Sequence, residues 1–226
     1  MATRTPRDQL IAGAADLLAR RGLRATSVRD LAKHSGAPLG STYHYFPGGK
    51  SQLAVEAVGY TSAFISRVLV RELAASGPVD GFRSFLDMWR KIVTDSDFRA
   101  GCPVLAVAVE EPDDDDDAPL NAASAAFDDW VRILAGSLVE HGAGEATARQ
   151  TATLVVASVE GTVAICRAQR STAARANNSA NSANSANSHC QPATLSINMA
   201  IIRGRCWLSQ YRLMDRPIST GTVTSR

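Results

Sequence analysis

The stretch at residues 26–53, TSVRDLAKHSGAPLGSTYHYFPGGKSQL, decides how the rest of the chain is read. Ser27 stands where a hydroxyl can cap free helix amides, and Asp30 follows three positions on in capping-box fashion. Val28, Leu31 and Ala32 then fall on one face, and Ser35-Gly36 closes the segment as a glycine stop does. After the turn at Gly36-Ala37, a second short helix is predicted over 38–45. Pro38 is tolerated in its first turn because the missing amide has no intrahelical partner there. Tyr43, His44, Tyr45 and Phe46, followed closely by Lys50, put polar-tipped aromatics beside a lysine, which is unusual in an ordinary core helix.

Outward from this stretch, periodic apolar residues separated by glycine and proline predict helices throughout, with no sustained strand alternation. A helix over 6–21 carries Leu10, Ile11, Ala14, Leu17 and Leu18 on one stripe and stops at Gly22. A long helix follows Gly49 to about residue 74 and is broken at Gly77-Pro78. The segment 79–95 then places Phe82, Phe85, Leu86, Trp89 and Ile92 on one face. A short buried helix is expected within 102–111, and the five aspartates Asp113 to Asp117 read as a solvated loop. Two long amphipathic helices, about 119–141 and 144–170, are separated by a short connection and should pack antiparallel. Their apolar surface exceeds what so small a head covers, which points to burial against a partner.

The expected fold class is all-α. An N-terminal three-helix helix-turn-helix domain occupies 1–48, and a helical body occupies 49–171. A low-complexity tail over 172–226 includes ANNSANSANSANS at 176–188. That Asn-Ser-Ala repeat cannot bury enough surface to offset its ordering entropy, so disorder or weak structure is expected there.

The chain has 226 residues and a formal net charge of only +2, but the charge is unevenly placed. Residues 1–60 hold eight Lys+Arg against four Asp+Glu, whereas 61–170 hold ten against seventeen. A basic head on an acidic body directs a polyanion to the head. The four cysteines, Cys102, Cys166, Cys190 and Cys206, have neither metal-ligand nor disulfide-framework spacing, so no metal and no cofactor are expected. The N-terminus lacks an apolar stretch behind its charges, and the apolar run 153–166 is interrupted by Glu160 and Gly161. The expectation is a soluble, cytoplasmic protein without a membrane partner.

A helix-turn-helix needs a bracing helix, a sharp turn, and a second helix that enters the major groove of double-stranded DNA. In that second helix Leu39, Gly40 and Ser41 form the leading turn, where short side chains let the backbone approach base edges. Leu39 and Thr42 are suited to touch thymine methyls. Tyr43 and His44 offer hydrogen-bonding tips to phosphates, and Lys50 adds charge at the start of the next helix. Tyr45 is read as packing rather than as a phosphate ligand.

The stretch LLARRGLRATSVRDLAKHSGAPLGSTYHYFPGGKSQL, with the helix leading into it, resembles the DNA-binding domain of TetR-type transcriptional regulators over roughly residues 7–53. The phrases GCPVLAVAVE at 101–110 and VEGTVAICRAQRS at 159–171 resemble the regulatory domain of the branch named for lincomycin-resistance repressors. The resemblance implies a homodimeric repressor released from a palindromic operator by a small-molecule effector. It places Ser27 and Arg29 at phosphates or a base edge, Leu39, Gly40 and Ser41 at the bases, Tyr43 and His44 at phosphates, and Lys50 as anchor. Tyr45 and Phe46 become the packing that joins head to body. Leu39 departs from the polar or basic residue common at its position, which favours methyl contact or shape reading.

Phe64, Phe85, Met88, Trp89, Cys102, Phe127 and Trp130 are the candidate lining of an effector pocket, weighed against the plainer reading of an aromatic core stripe. Two other functions compete. One is a regulator made defective by an aberrant C-terminus, monomeric or aggregating through exposed helix faces. The other, an all-helical enzyme, is disfavoured because no nucleophile set, glycine-rich phosphate loop or metal-ligand spacing is present.

Overall fold

The computed structural model describes residues 5–111 and 116–172. The aspartates at 113–115 and the tail from 173 onward, repeat included, lie outside the described residues.

Seven helices and no strand are found among the described residues: α1 (Pro6–Arg21), α2 (Val28–Ser35), α3 (Leu39–Tyr45), α4 (Gly49–Asp95), α5 (Pro103–Ala108), α6 (Ala118–Glu140) and α7 (Glu145–Gln169). The all-α expectation holds. Local chemistry accounts for the boundaries in the head. Thr5 and Asp8 form a complete capping box at α1, and Gly22, at φ 80°, ends it with its amide on the Leu18 carbonyl. Ser27 caps α2, and Gly36 closes it in the left-handed region at φ 64°, where a side chain would be strained. Pro38 is the N-cap of α3, one position earlier than the first-turn placement expected from sequence.

The α4 span is two helical arms meeting at Gly77, whose φ of 74° and ψ of −179° are not helical, with Pro78 next. The break expected at Gly77-Pro78 is therefore present. The arms fold back on each other so tightly that a Cβ on Gly81 would lie 2.3 Å from the Glu72 carbonyl oxygen and 2.8 Å from the Leu73 Cα. Backbone cannot yield as a flexible side chain does. Gly81→Ala is accordingly expected to destabilise the fold by roughly 1–3 kcal/mol, read as a lowered melting temperature by calorimetry.

One continuous core runs through the molecule. In the head, Leu10, Leu17, Leu18, Leu31, Phe46 and Leu53 close around the three short helices. Further along, Ile65, Leu69, Phe82, Trp89, Val104, Trp130 and Val159 fill the body. Each such side chain contributes about 1.5–3 kcal/mol of transfer free energy. α4 belongs to both parts: its first arm meets α1 through Glu56 and Arg7 and α6 through Ser66 and Asp129, and α6 in turn packs on α7.

By length and composition alone α4 and α7 are apolar enough to cross a membrane, as partly buried core helices also can be. The helix continues through Glu160 and Gly161 to 25 residues. Its buried side, with Val155, Val159, Glu160 and Val163, faces the protein core. Its other side leaves Leu154 and Ile165 about half exposed, in line with exposed Ala157, Gly161, Ala164 and Ala168.

Candidate nucleic-acid interface and body cavity

In α3, Leu39, Gly40, Ser41, Tyr43 and His44 are exposed, and Arg29 and Lys33 are exposed on α2. This surface is mounted on buried residues. Phe46 is fully buried, and Tyr45 is half-buried with its ring edge against His44. Thr42, placed among the base-contacting residues by sequence, is instead fully buried, and its hydroxyl donates to the Pro38 carbonyl at 3.1 Å. It lies four residues from both Pro38 and Phe46, hence on the face of α3 turned to the core, and is withdrawn as a DNA contact. Ser27 is half-buried. Its hydroxyl receives the Asp30 amide at 3.1 Å and donates to the Asp30 carboxylate, which holds that carboxyl below the usual range. That hydroxyl serves the cap first. Lys50, half-buried, sits in the first turn of α4.

A network missed by sequence reasoning fixes the height of α3. Gln52 accepts from the Gly48 amide at 2.8 Å and donates to the Tyr45 carbonyl at 3.3 Å and to Glu56 at 2.8 Å. Glu56 accepts from Arg7 of α1 through both oxygens at 2.7 Å. On the opposite side, Asp16 of α1 takes Arg20 and His34, the latter at 3.1 Å. Arg7 with Glu56, and Asp16 with His34, join residues of different helices, so periodicity alone held no sign of them.

A second set of polar contacts ties the head to the body at the end of α1. The Gly101 amide donates to the Ala19 carbonyl at 2.9 Å, and Arg167 of α7 donates to the Arg20 carbonyl. Glu110, just past α5, accepts from the Leu23 and Arg24 amides at 3.0 and 2.6 Å. Two carbonyls that a helix end leaves unpaired, and two amides of the following turn, thus have their partners in the body. Gly22 permits the approach, since a Cβ there would lie 2.1 Å from Glu110 Oε1.

The body holds a narrow cavity between both arms of α4, α6 and α7, lined by Ile65, Leu69, Phe82, Phe85, Trp89, Trp130, Leu134, Val155, Val156, Val159 and Glu160. Its volume is about 20 Å³, room for a water. Trp89 and Val159 also line an outer apolar groove with Arg90, Thr162, Val163 and Cys166, and so form the wall between the two spaces.

Of the seven residues expected at an effector pocket, Phe85, Trp89 and Trp130 do line this cavity. Phe64 does not: it is 41% exposed and shares a shallow surface groove with Met88 between the two arms of α4. Phe127 stands behind the lining, edge-on to Trp130 at 5.5 Å, and Cys102 lies buried beyond Glu160. Helical spacing placed these side chains on apolar faces without distinguishing the inner side of a face from its rim.

Glu160 is the lining residue that sequence reasoning passed over. It is 6% exposed, and its Oε2 has no hydrogen-bond partner; nor does Nε1 of Trp130, which is 3% exposed. Burial pushes the Glu160 carboxyl up to about 7, only partly opposed by a hydrogen bond from the Cys102 thiol. The Cys102 thiol is itself driven well above its ordinary range by burial and by the neighbouring carboxyl. Among the described residues, no group of His, Cys, Asp and Glu is arranged to hold a metal ion.

Residues 10–57 match the family described as bacterial regulatory proteins, tetR family, and residues 78–176 match the C-terminal domain of LmrA/YxaF-like transcriptional regulators. An uncharacterised HTH-type transcriptional regulator of Mycobacterium tuberculosis is 38% identical over 169 residues, covering 73% of this chain and 86% of that one. The HTH-type transcriptional regulator LmrA of Bacillus subtilis is 31% identical over 157 residues, covering 69% and 82%. In fold, the chain is similar to a TetR transcriptional regulator from Legionella pneumophila, with a TM-score of 0.65 at 21% identity over 75% of this chain and 90% of that one.

Proposed function

For this chain, which belongs to the TetR family of transcriptional regulators, we propose a homodimeric, cytoplasmic repressor that leaves a palindromic operator when a small molecule enters the body. The observation that carries this reading is the exposed surface of Leu39, Gly40, Ser41, Tyr43 and His44 on α3, held from behind by buried Thr42 and Phe46. A helix with small residues in its leading turn can come close to base edges, and Tyr43, His44, Arg29 and Lys50 position it on phosphates. Arg29 and Lys33 lie exposed on the bracing helix, where charge attracts the duplex backbone without reading its sequence.

Dimerisation is assigned to the outer face of α7, where Leu154, Ala157, Gly161, Ala164, Ile165 and Ala168 form one exposed stripe of apolar and small side chains. A second copy of the chain covers that face, and a two-fold axis sets two α3 helices in successive major grooves about 34 Å apart. Ile165→Glu is expected to halve the mass measured by sedimentation while leaving the helical circular dichroism intact. A dimer that persists would move the interface elsewhere.

Effector coupling follows from the placement of α7. Val159 and Glu160 face the cavity, and Arg167, seven residues on along the same helix, holds the end of α1. A ligand that wedges α7 away from α4 loosens Arg167 from the Arg20 carbonyl and favours a head spacing that no longer fits the DNA. Titrating the purified full chain on genomic fragments tests the function. A protected inverted repeat upstream of a gene supports it, and the absence of any footprint on any fragment would refute it.

A further inference from the structure

Building on the reading of the body as an effector domain, we infer that the cavity selects a compact, largely apolar amine that also carries one hydrogen-bond acceptor, with Glu160 taking the ammonium and the Trp130 indole donating to the acceptor.

Two unmet polar groups share one apolar space. Glu160 Oε2 and Trp130 Nε1 are both buried, both lack a partner, and their residues line the same cavity. One is an acceptor and the other a donor, so a single molecule satisfies both only if it brings a donor and an acceptor of its own. No Lys, Arg or His lines the cavity, so nothing in the protein there supplies the positive charge that a buried carboxylate requires. The group hydrogen-bonded to Glu160 is the Cys102 thiol, a weak donor.

The remaining lining favours a cation as well. Phe82, Phe85, Trp89 and Trp130 line the same cavity as Glu160, and aromatic rings attract a desolvated ammonium over their faces. An anionic group in the inner cavity would meet the Glu160 carboxyl with no compensating charge in its lining. A neutral hydrocarbon would fill the space and leave both polar groups unpaired, each at the cost of burying an unsatisfied group.

Size fixes how such a molecule enters. The cavity is far smaller than the several hundred Å³ of an ordinary ligand pocket. Trp89 and Val159 are shared with the outer groove, which adds Leu86, Val93, Val163 and Cys166 and, at one edge, Arg90 with its charge paired to Asp87. A ligand of about a dozen non-hydrogen atoms therefore occupies both spaces, with its ammonium inward at Glu160 and its apolar body across the displaced wall.

The test uses the full chain without DNA and three small probes of matched shape: 4-methoxyphenethylamine, 4-propylanisole and 4-ethylphenethylamine. The first carries both charge and acceptor, the second lacks the charge, and the third lacks the acceptor. Binding is read by calorimetry and by tryptophan fluorescence at millimolar probe. The methoxy amine is expected to bind at least about tenfold more tightly than 4-propylanisole, the scale of one charge-assisted hydrogen bond. It should also exceed 4-ethylphenethylamine several-fold. Glu160→Gln should erase the first preference and Trp130→Phe the second, each variant otherwise melting as a folded helical protein.

Equal or tighter binding of the neutral ether, no binding of the methoxy amine, or a charge preference that survives in Glu160→Gln would overturn the inference. Because the measurement omits DNA, a chain that binds the amine but footprints nowhere contradicts the regulator reading alone. A chain that footprints but shows no amine preference contradicts this inference alone.

Discussion

Gly40→Ala should make the protein more stable and a poorer DNA binder at once. A Cβ built on Gly40 meets nothing within 4 Å, and the residue lies inside α3 with an ordinary helical backbone. Alanine is favoured over glycine in a helix by up to about 1 kcal/mol, worth roughly 2–4 °C in melting temperature for a chain of this size. In the proposed DNA complex the same methyl stands on the leading turn of α3, where backbone and base edges would approach most closely. A misfit of about 1.4 kcal/mol at that contact weakens operator binding tenfold, and each protomer of a dimer carries the same misfit. Thermal melts and a gel-shift titration at fixed salt separate the two effects. Raised melting temperature with unchanged affinity would take the leading turn of α3 away from the bases.

The second large effect lies in the body. Glu160 titrates at about 7 in the folded protein against an ordinary value of 4.5, because burial disfavours its charged form. In the unfolded chain it ionises freely. The folded state therefore holds the proton more tightly, and stability is highest below the ordinary value. It falls as pH rises from about 4.5 to about 7, and the loss is complete above that, amounting to about 3 kcal/mol from this group at 1.36 kcal/mol per unit. Replacing the carboxyl by an apolar group of similar length, Glu160→Met, removes the loss. The variant is expected to exceed the parent by about 3 kcal/mol at pH 8 and to match it far more closely at pH 4.5. Denaturant titrations at the two pH values check this, and an equal gain at both would mean that packing rather than charge sets the difference. A group kept in the core at such a cost near neutrality is consistent with a role in taking up a ligand.

The head was legible because its signals are local. Ser27 as cap, and Gly22 and Gly36 as stops, act through hydrogen bonds spanning three to five residues, and each lies where its type and position led one to expect; the Thr5 cap of α1 is equally local. Thr42 was misread for a different reason. A threonine next to Tyr43 looks like another polar residue of the reading face, but the direction of α3 relative to α1 and α4 is set by distant side chains. Gln52, Glu56 and Arg7 fix that direction through contacts up to 49 residues apart. The relation of Thr42 to Phe46, four residues on, was the available clue.

The body was less legible where its function concentrates. The aromatic residues were recognised, yet whether a ring faces the cavity, the second layer or the solvent depends on how the two arms of α4 fold back at Gly77. Phe64 and Phe85 illustrate the two outcomes, one on the rim and one inside. Glu160 was visible as a single acid interrupting an apolar run, a pattern that points to a buried carboxyl as readily as to a broken membrane span. Glu110 and Arg167 had no local sign at all, since their partners lie 87 and 147 residues away. The LmrA/YxaF-like match ends at residue 176, where the Asn-Ser-Ala repeat begins, so the body described here is the part that its relatives share.

The central claim is that two copies of this chain, joined through α7, present two α3 helices to one symmetric stretch of DNA. Selection of bound duplexes from a random-sequence pool by the full chain, followed by sequencing and by mass measurement of the complex, addresses it most directly. An inverted repeat is expected, bound by an even number of chains, whose half-sites exchange with the two-fold axis. Enrichment of no sequence, or of a single unrepeated site held by one chain, would contradict it.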